Sequence, residues 1–187
     1  MQLSSYINQI LPLADITNRA IESAFVPVKF SKTQILIPEG KISKEMFFIE
    51  KGLARIYYYN ESGKDITYSF FTEGMMLTVA ESFFGQLPSR YNIESLEDCE
   101  MRKITYTDFE MLLKTYPETE KVKSQGLLEF LLKATDRIVT LQFLSAQERY
   151  DLLMKNYPSI ILRASLGHIA SYLGITQETL SRIRAKK

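Results

Sequence analysis

Five glycines, at positions 40, 52, 63, 74 and 85, recur at intervals of 12, 11, 11 and 11 residues. This spacing constrains the fold more than any other feature of the chain. Glycine supplies the positive φ that tight turns require, and the residues between these turns alternate with a period of two. In ARIYYYN, Ala54, Ile56 and Tyr58 share one face while Arg55, Tyr57 and Tyr59 share the other. KDITYSFF sets Ile66, Tyr68 and Phe70 against Thr67, Ser69 and Phe71, and RYNIESLE and CEMRKIT continue the habit. Short strands punctuated at regular intervals predict a β-sandwich or jelly-roll barrel from about residue 28 to 107. Asn60-Glu61-Ser62-Gly63 reads as a hairpin turn within it.

Helical periodicity brackets the barrel. Leu3, Ile7, Ile10, Leu11, Ile16 and Ile21 fit two short helices broken by Pro12. Between 118 and 145 one seam reads Leu127, Leu131, Ala134, Ile138 and Leu141, an a/d stripe with Glu129, Lys133, Asp136 and Arg137 outside it. Leu128, Leu132 and Val139 form a second stripe beside the first. Such a helix either covers its barrel with one stripe and meets a partner with the other, or buries both against one core. Ser145-Ala-Gln-Glu148 matches a capping box, opening a helix that runs to Asn156 and stops before Pro158.

The most specific local pattern is LRASLGHIASYLGITQETLSRIRAKK. Ser165 N-caps a first helix with Leu166, Ile169, Ala170 and Leu173 on its inner face. Gly174 provides the turn, Ile175 plugs the gap beneath it, and Thr176 caps a second helix. Leu180 and Ile183 point inward, leaving Gln177, Glu178, Thr179, Ser181, Arg182, Arg184 and Lys186 on outer and flanking surfaces. This is a helix-turn-helix whose second helix carries the chemistry of a major-groove reader. Arg pairs bidentately with guanine, Gln with adenine, and Glu accepts from the cytosine amino group; Ser, Thr and Lys hold phosphates. A plain αα-hairpin with a solvated polar face is the competing reading. Charge favours DNA: residues 163–187 carry a local +4, which leaves about −3 on residues 1–162 of a chain whose net charge is +1.

Cys99 and His168 are the only cysteine and histidine. An internal disulfide is therefore impossible, and cysteine-held clusters or structural zinc sites are disfavoured. The start MQLSSYINQILPLAD does not read as a secretory signal, and no apolar run is long enough to span a bilayer. A cytoplasmic protein with no membrane partner is expected. A barrel enzyme of the metal-dependent kind would need clustered histidines, which the barrel region lacks.

A β-roll followed by a seam helix and a helix-turn-helix resembles the Crp/Fnr family of transcriptional regulators. The resemblance rests on IASYLGITQETLSRI, on the turn-rich barrel, and on FFIEKGLARIYY, which looks like a family strand pair. It implies an α+β architecture in three parts. These are a cyclic nucleotide-binding-like double-stranded β-helix (jelly roll, 1–116), a dimerisation helix (117–144) and a DNA-binding helix-turn-helix domain (145–187). It also implies a homodimer joined along Leu127, Leu131, Ala134, Ile138 and Leu141, reading a palindrome in double-stranded DNA with the helix 176–186. Gln177, Glu178 and Arg182 stand at the family's base-reading positions. RNA polymerase and a small-molecule effector are further partners it admits, and no cofactor is fixed by it.

The sequence departs from the family pattern in two places. Cyclic-nucleotide binders carry a Gly-Glu-(Leu/Ile) start and a later Arg-Ser/Thr-Ala. The comparable stretch here has Glu81 without a preceding glycine and Ser89-Arg90-Tyr91, so an effector pocket of Glu81, Ser89, Arg90 and Tyr91 is expected to favour a ligand other than a cyclic nucleotide, or none. The family's β-hairpin wing is also not evident before the sequence stops at Lys187. The alternative function is a small-molecule sensor module with little DNA binding.

Overall fold

The computed structural model describes residues 2–185. Two short helices, α1 (Leu3–Ile10) and α2 (Asp15–Ala24), precede eight strands. The strands are β1 (Val26–Phe30), β2 (Ile35–Ile37), β3 (Glu45–Lys51), β4 (Ala54–Tyr59), β5 (Asp65–Phe71), β6 (Met76–Leu77), β7 (Asn92–Ser95) and β8 (Cys99–Thr105). They form two antiparallel sheets in the orders β1-β8-β3-β6 and β2-β7-β4-β5, the interleaved order of a jelly roll. Phe47, Ile49, Ala54, Ile56, Leu77, Ile93 and Met101 fill the space between the sheets. The glycine spacing reads correctly at the turns: Gly40, Gly52, Gly63 and Gly74 all have positive φ. Gly52 is the tightest, because a Cβ there would lie 2.9 Å from the Cys99 Cα. Between β4 and β5 the expected hairpin forms, with the Asn60 side-chain oxygen accepting from the Ser62 and Lys64 amides at 3.1 and 2.9 Å.

Gly85 lies elsewhere, at the end of α3 (Ala80–Gly85), a single-turn helix inside the stretch read as continuous strand. The alternation also fails as a guide to burial on β4. Ala54 to Tyr57 are all buried, because one face meets the barrel interior and the other meets a helix, with a register shift between Ile56 and Tyr57.

After the barrel come α4 (Tyr106–Thr115), α5 (Thr119–Phe143), α6 (Ala146–Asn156), α7 (Pro158–Arg163), α8 (Leu166–Leu173) and α9 (Gln177–Ala185). The capping box of α6 forms as read, with the Ser145 amide donating to Glu148 and the Glu148 amide to Ser145. The short α7 is not signalled by periodicity, since Ile160 is its only buried residue. Along α5 neither apolar stripe covers the barrel. Leu127, Leu131, Ile138 and Leu141 are 38–60% exposed, Leu128, Leu132 and Val139 are exposed too, and Thr119 is the helix's only buried residue. The 25-residue helix thus leaves apolar side chains open to water along most of its length.

Candidate nucleic-acid interface and effector site

The last two helices pack as the sequence foretells, with one exception. Ser165 caps α8 by accepting from the His168 amide, and Gly174 takes the left-handed conformation at its C-terminus. The Thr179 amide donates to the Thr176 hydroxyl at 3.2 Å, capping α9. Ile169, Ala170 and Leu173 meet Leu180 and Ile183, and Ile175 packs against the same cluster. Leu166 is the exception: it is 42% exposed. It is the first residue of α8.

This small core is continuous with the barrel. Leu53, Phe70 and Leu96 join Tyr150, Leu153 and Ile160 within it. Helix α8 lies along β5, the edge strand of its sheet, and satisfies part of the open edge. The Thr67 amide donates to Ser171 Oγ at 2.9 Å, and that hydroxyl donates onward to the Asp65 carbonyl. Beneath α8, Arg55 is 3% exposed and bonds Asp65 at 2.7 Å, Glu94 at 3.0 Å and Thr67 at 3.0 Å, with its guanidinium stacked 4.1 Å above the Tyr57 ring. Nothing in the sequence marks this arginine as buried.

His168, remote from the barrel in sequence, rests beside this cluster. Its Nδ1 is buried without a hydrogen-bond partner. Burial, then the nearby Arg55 charge, lowers its pKa, against the smaller opposing pull of Asp65 and Glu94. Farther along, Arg163 forks onto Glu73 at 2.8 and 3.0 Å and onto Glu97 at 2.5 and 3.2 Å. Burial pushes the Glu73 carboxyl up, but the Arg163 hydrogen bond and the Gly52 amide bring it down to about 2. Arg137 of α5 stacks 3.9 Å above the Tyr172 ring and donates to the Tyr172 carbonyl, tying the long helix to α8.

On the side of α9 away from this packing, Gln177, Glu178, Ser181, Arg182 and Arg184 are exposed and Thr179 is half-buried. Arg182 donates to Thr179 Oγ1 at 3.2 Å, which orients the guanidinium along the helix. Lys186, read as part of this surface, lies outside the described residues.

The four expected effector residues come together at the barrel mouth. Glu81 and Arg90 form an exposed ion pair at 3.1 Å. Ser89 is buried, donating to the Tyr91 carbonyl and accepting from the Tyr91 amide at 2.7 and 3.0 Å. Tyr91 stacks near Tyr58 and Tyr68, ring centres 6.0 and 5.3 Å away. Cys99 is buried, and burial pushes its thiol up to about 11. Met46 and Met101 fill core space. Among the described residues no three His, Cys, Asp or Glu side chains gather at one point, and no helix is long and apolar enough to cross a membrane.

Residues 27–116 match the cyclic nucleotide-binding domain. The cAMP-activated global transcriptional regulator CRP of Pasteurella multocida is 23% identical over 166 residues, which cover 83% of this chain and 79% of that protein. The global nitrogen regulator of a Synechocystis species is 24% identical over 191 residues, covering 95% and 85%. Among solved structures, FixK2 of Bradyrhizobium japonicum superposes with a TM-score of 0.76 at 19% identity, covering 87% of this chain and 83% of that one. The c-di-GMP responsive regulator CLP of Xanthomonas campestris gives 0.72 at 15% identity, covering 92% and 91%.

Proposed function

The chain belongs with the Crp/Fnr family regulators, and from that premise we propose that it is a homodimeric, DNA-binding transcription regulator. The observation that carries the reading is the two-sidedness of α9. Leu180 and Ile183 are buried, while Gln177, Ser181, Arg182 and Arg184 are exposed on the outer and flanking surfaces. A helix held this firmly on one side and this polar on the other suits the major groove. Glu178 extends the reading set. Ser165 and Thr176, the two caps, and Thr179 beside them are assigned hydroxyls that also reach phosphates.

The dimer is assigned to α5, whose seam of Leu127, Leu131, Ala134, Ile138 and Leu141 is exposed at every position but the half-buried Ala134. Residues 1–116 then serve as sensor, 117–144 as dimer helix and 145–187 as DNA reader, in a cytoplasmic protein that is a regulator and not an enzyme. A phosphate-bearing effector is admissible at Arg90. The Arg90 side chain is 79% exposed, and water screens an exposed ion pair strongly, so an anion can displace Glu81 at small cost.

Selection from a pool of randomised duplexes tests the reading. The wild type should enrich an inverted repeat, and Arg182→Ala should lose roughly 1–3 kcal/mol of discrimination at one base pair per half-site while still binding duplex. Failure to enrich any motif would sink the assignment. Calorimetry with cyclic AMP, cyclic GMP and cyclic di-GMP, each against wild type and Arg90→Ala, tests the effector site separately.

A further inference from the structure

The packing of α8 on β5 places a second element beside α9. Successive contacts run the same way along helix and strand: His168 senses Asp65, Ser171 bonds Asp65 and Thr67, and Tyr172 packs on Phe70 with ring centres 5.3 Å apart. The residues just before Asp65 therefore lie at the N-terminal end of α8. The start of α9 lies there too, since a Cβ on Gly167 would sit 2.9 Å from Gln177 Nε2. The tip of the β4–β5 hairpin, residues 60–64, thus flanks the face that carries Ser165 and Gln177.

The tip is held rigid. Asn60 Oδ1 accepts from the Ser62 amide, the Ser62 hydroxyl and the Lys64 amide, and Gly63 turns the chain at φ +75°. Lys64 leaves it exposed to solvent, close enough to α9 for its charge to act on Glu178. The carboxyl of Glu178 is held below the usual range first by a Thr176 hydrogen bond, with Arg182 and Lys64 adding to the effect.

We infer that the β4–β5 hairpin is a second DNA-contacting element, in which Lys64 pairs with a backbone phosphate bordering the groove that α9 enters. The inference rests on the DNA-binding reading above and adds to it a contact from the sensor barrel. An ammonium on a flexible stem suits a phosphate as a point charge and reads no base. Glu61, at the second position of the same turn, carries the opposite sign, so the contact is assigned to Lys64 alone.

A phosphate contact is independent of sequence, so a random duplex of about 40 base pairs is a sufficient probe. Fluorescence anisotropy between about 50 and 200 mM KCl gives the slope of log affinity against log salt. For Lys64→Ala the slope should fall by ~0.9 per protomer, Lys64→Arg should keep it, and Lys64→Glu should bind more weakly than Lys64→Ala. The Lys64→Ala loss should persist in a Glu178→Gln background. If it disappears there, Lys64 acts only by neutralising Glu178 and the inference is overturned. It is equally overturned if Lys64→Ala retains the wild-type slope, a result that leaves DNA binding itself intact. Wild-type protein that binds no duplex at the lowest salt would instead overturn the DNA-binding reading.

Discussion

Replacing Arg55 by methionine is expected to cost about 3 kcal/mol, although the residue sits in a strand whose sequence pattern points it outward. The magnitude follows from what the guanidinium leaves behind. Met fills most of the volume, so the main loss is electrostatic. Glu94, whose side chain is only 14% exposed, keeps a charge with no partner, while Asp65 at 36% recovers some hydration. Breaking a buried pair by removing one partner costs roughly 3–5 kcal/mol, and the partial exposure of Asp65 argues for the lower end. In a chain of this length that corresponds to a melting temperature lower by roughly 6–12 °C. Urea unfolding followed by circular dichroism at neutral pH measures it. A double variant, Arg55→Met with Glu94→Gln, should recover more than half of the loss, since it removes the orphaned charge as well as its partner. Acid sharpens the comparison. Arg55, first through its hydrogen bond, holds the Asp65 carboxyl below its ordinary 3.8. That stabilisation is complete above the unfolded-state value and is lost as pH falls through the lower folded-state value, and Arg55→Met has none of it to lose. A loss below about 1 kcal/mol, or a double variant no better than the single, would refute the claim that this cluster is desolvated by α8.

Three further expectations perturb other residues. His168 has a folded-state pKa below its ordinary 6.5, so the unfolded chain binds the extra proton first and stability must decline as pH falls below about 6.5; the urea midpoint should drop between pH 7.5 and 5.5 for wild type and stay flatter for His168→Gln. Leu131→Glu should dissociate the proposed dimer. Each copy loses an apolar contact worth ~1.5–3 kcal/mol, counted twice in a twofold interface, so sedimentation should show association weakened by ~100-fold or more; an unchanged mass would remove α5 as the seam. Gly52→Ala combines a left-handed φ of +119° with a Cβ 2.9 Å from the Cys99 backbone, and thermal melting should register a loss of roughly 3 kcal/mol or more.

What the sequence reveals, and what it hides, divides along the range of the interactions. Turn glycines, caps and the α8–α9 crossing are decided by neighbours within a few residues, and Gly63, Gly174, Ser145 and Ser165 are all legible. Arg55 is not, because alternation places it on an outward face and only a helix more than a hundred residues later makes that face interior. The place of His168 is hidden for the same reason: distance along the chain says nothing about its position beside Asp65. Leu166 fails in the opposite sense, fitting the helical period but left exposed at the first position of α8. Glu81 and Arg90 are legible only as candidate effector residues, because a motif comparison treats each as a ligand contact and cannot foresee that they pair with one another. The α3 and α7 helices are single turns with too few residues for a period to show.

The surface on which α8 docks and the surface that α9 presents are different faces of one small unit, and this limits how such a protein can be controlled. Docking buries Ile169 and Leu173 and engages Ser171, yet leaves Gln177, Arg182 and Arg184 in solvent. Within one protomer, therefore, the barrel does not switch binding off by covering the reading helix. In the proposed dimer, control must act on the distance and angle between two reading helices, which a palindrome of fixed spacing scores and a half-site does not. Two contacts set that geometry from opposite ends of the helical unit: Arg137 of α5 on Tyr172, and Arg163 on Glu73 and Glu97 at the barrel loops. The Arg163 fork is bidentate onto two carboxylates and only partly solvated, so it holds more firmly than an isolated surface pair. An effector at the barrel mouth needs a differential affinity of only a few kcal/mol to shift such an equilibrium substantially, against the ~5.5 kcal/mol that full inversion from 1:99 to 99:1 would take. The hairpin contact from Lys64 belongs to the same geometry, since a barrel that touches the phosphate backbone reports its own position to the DNA.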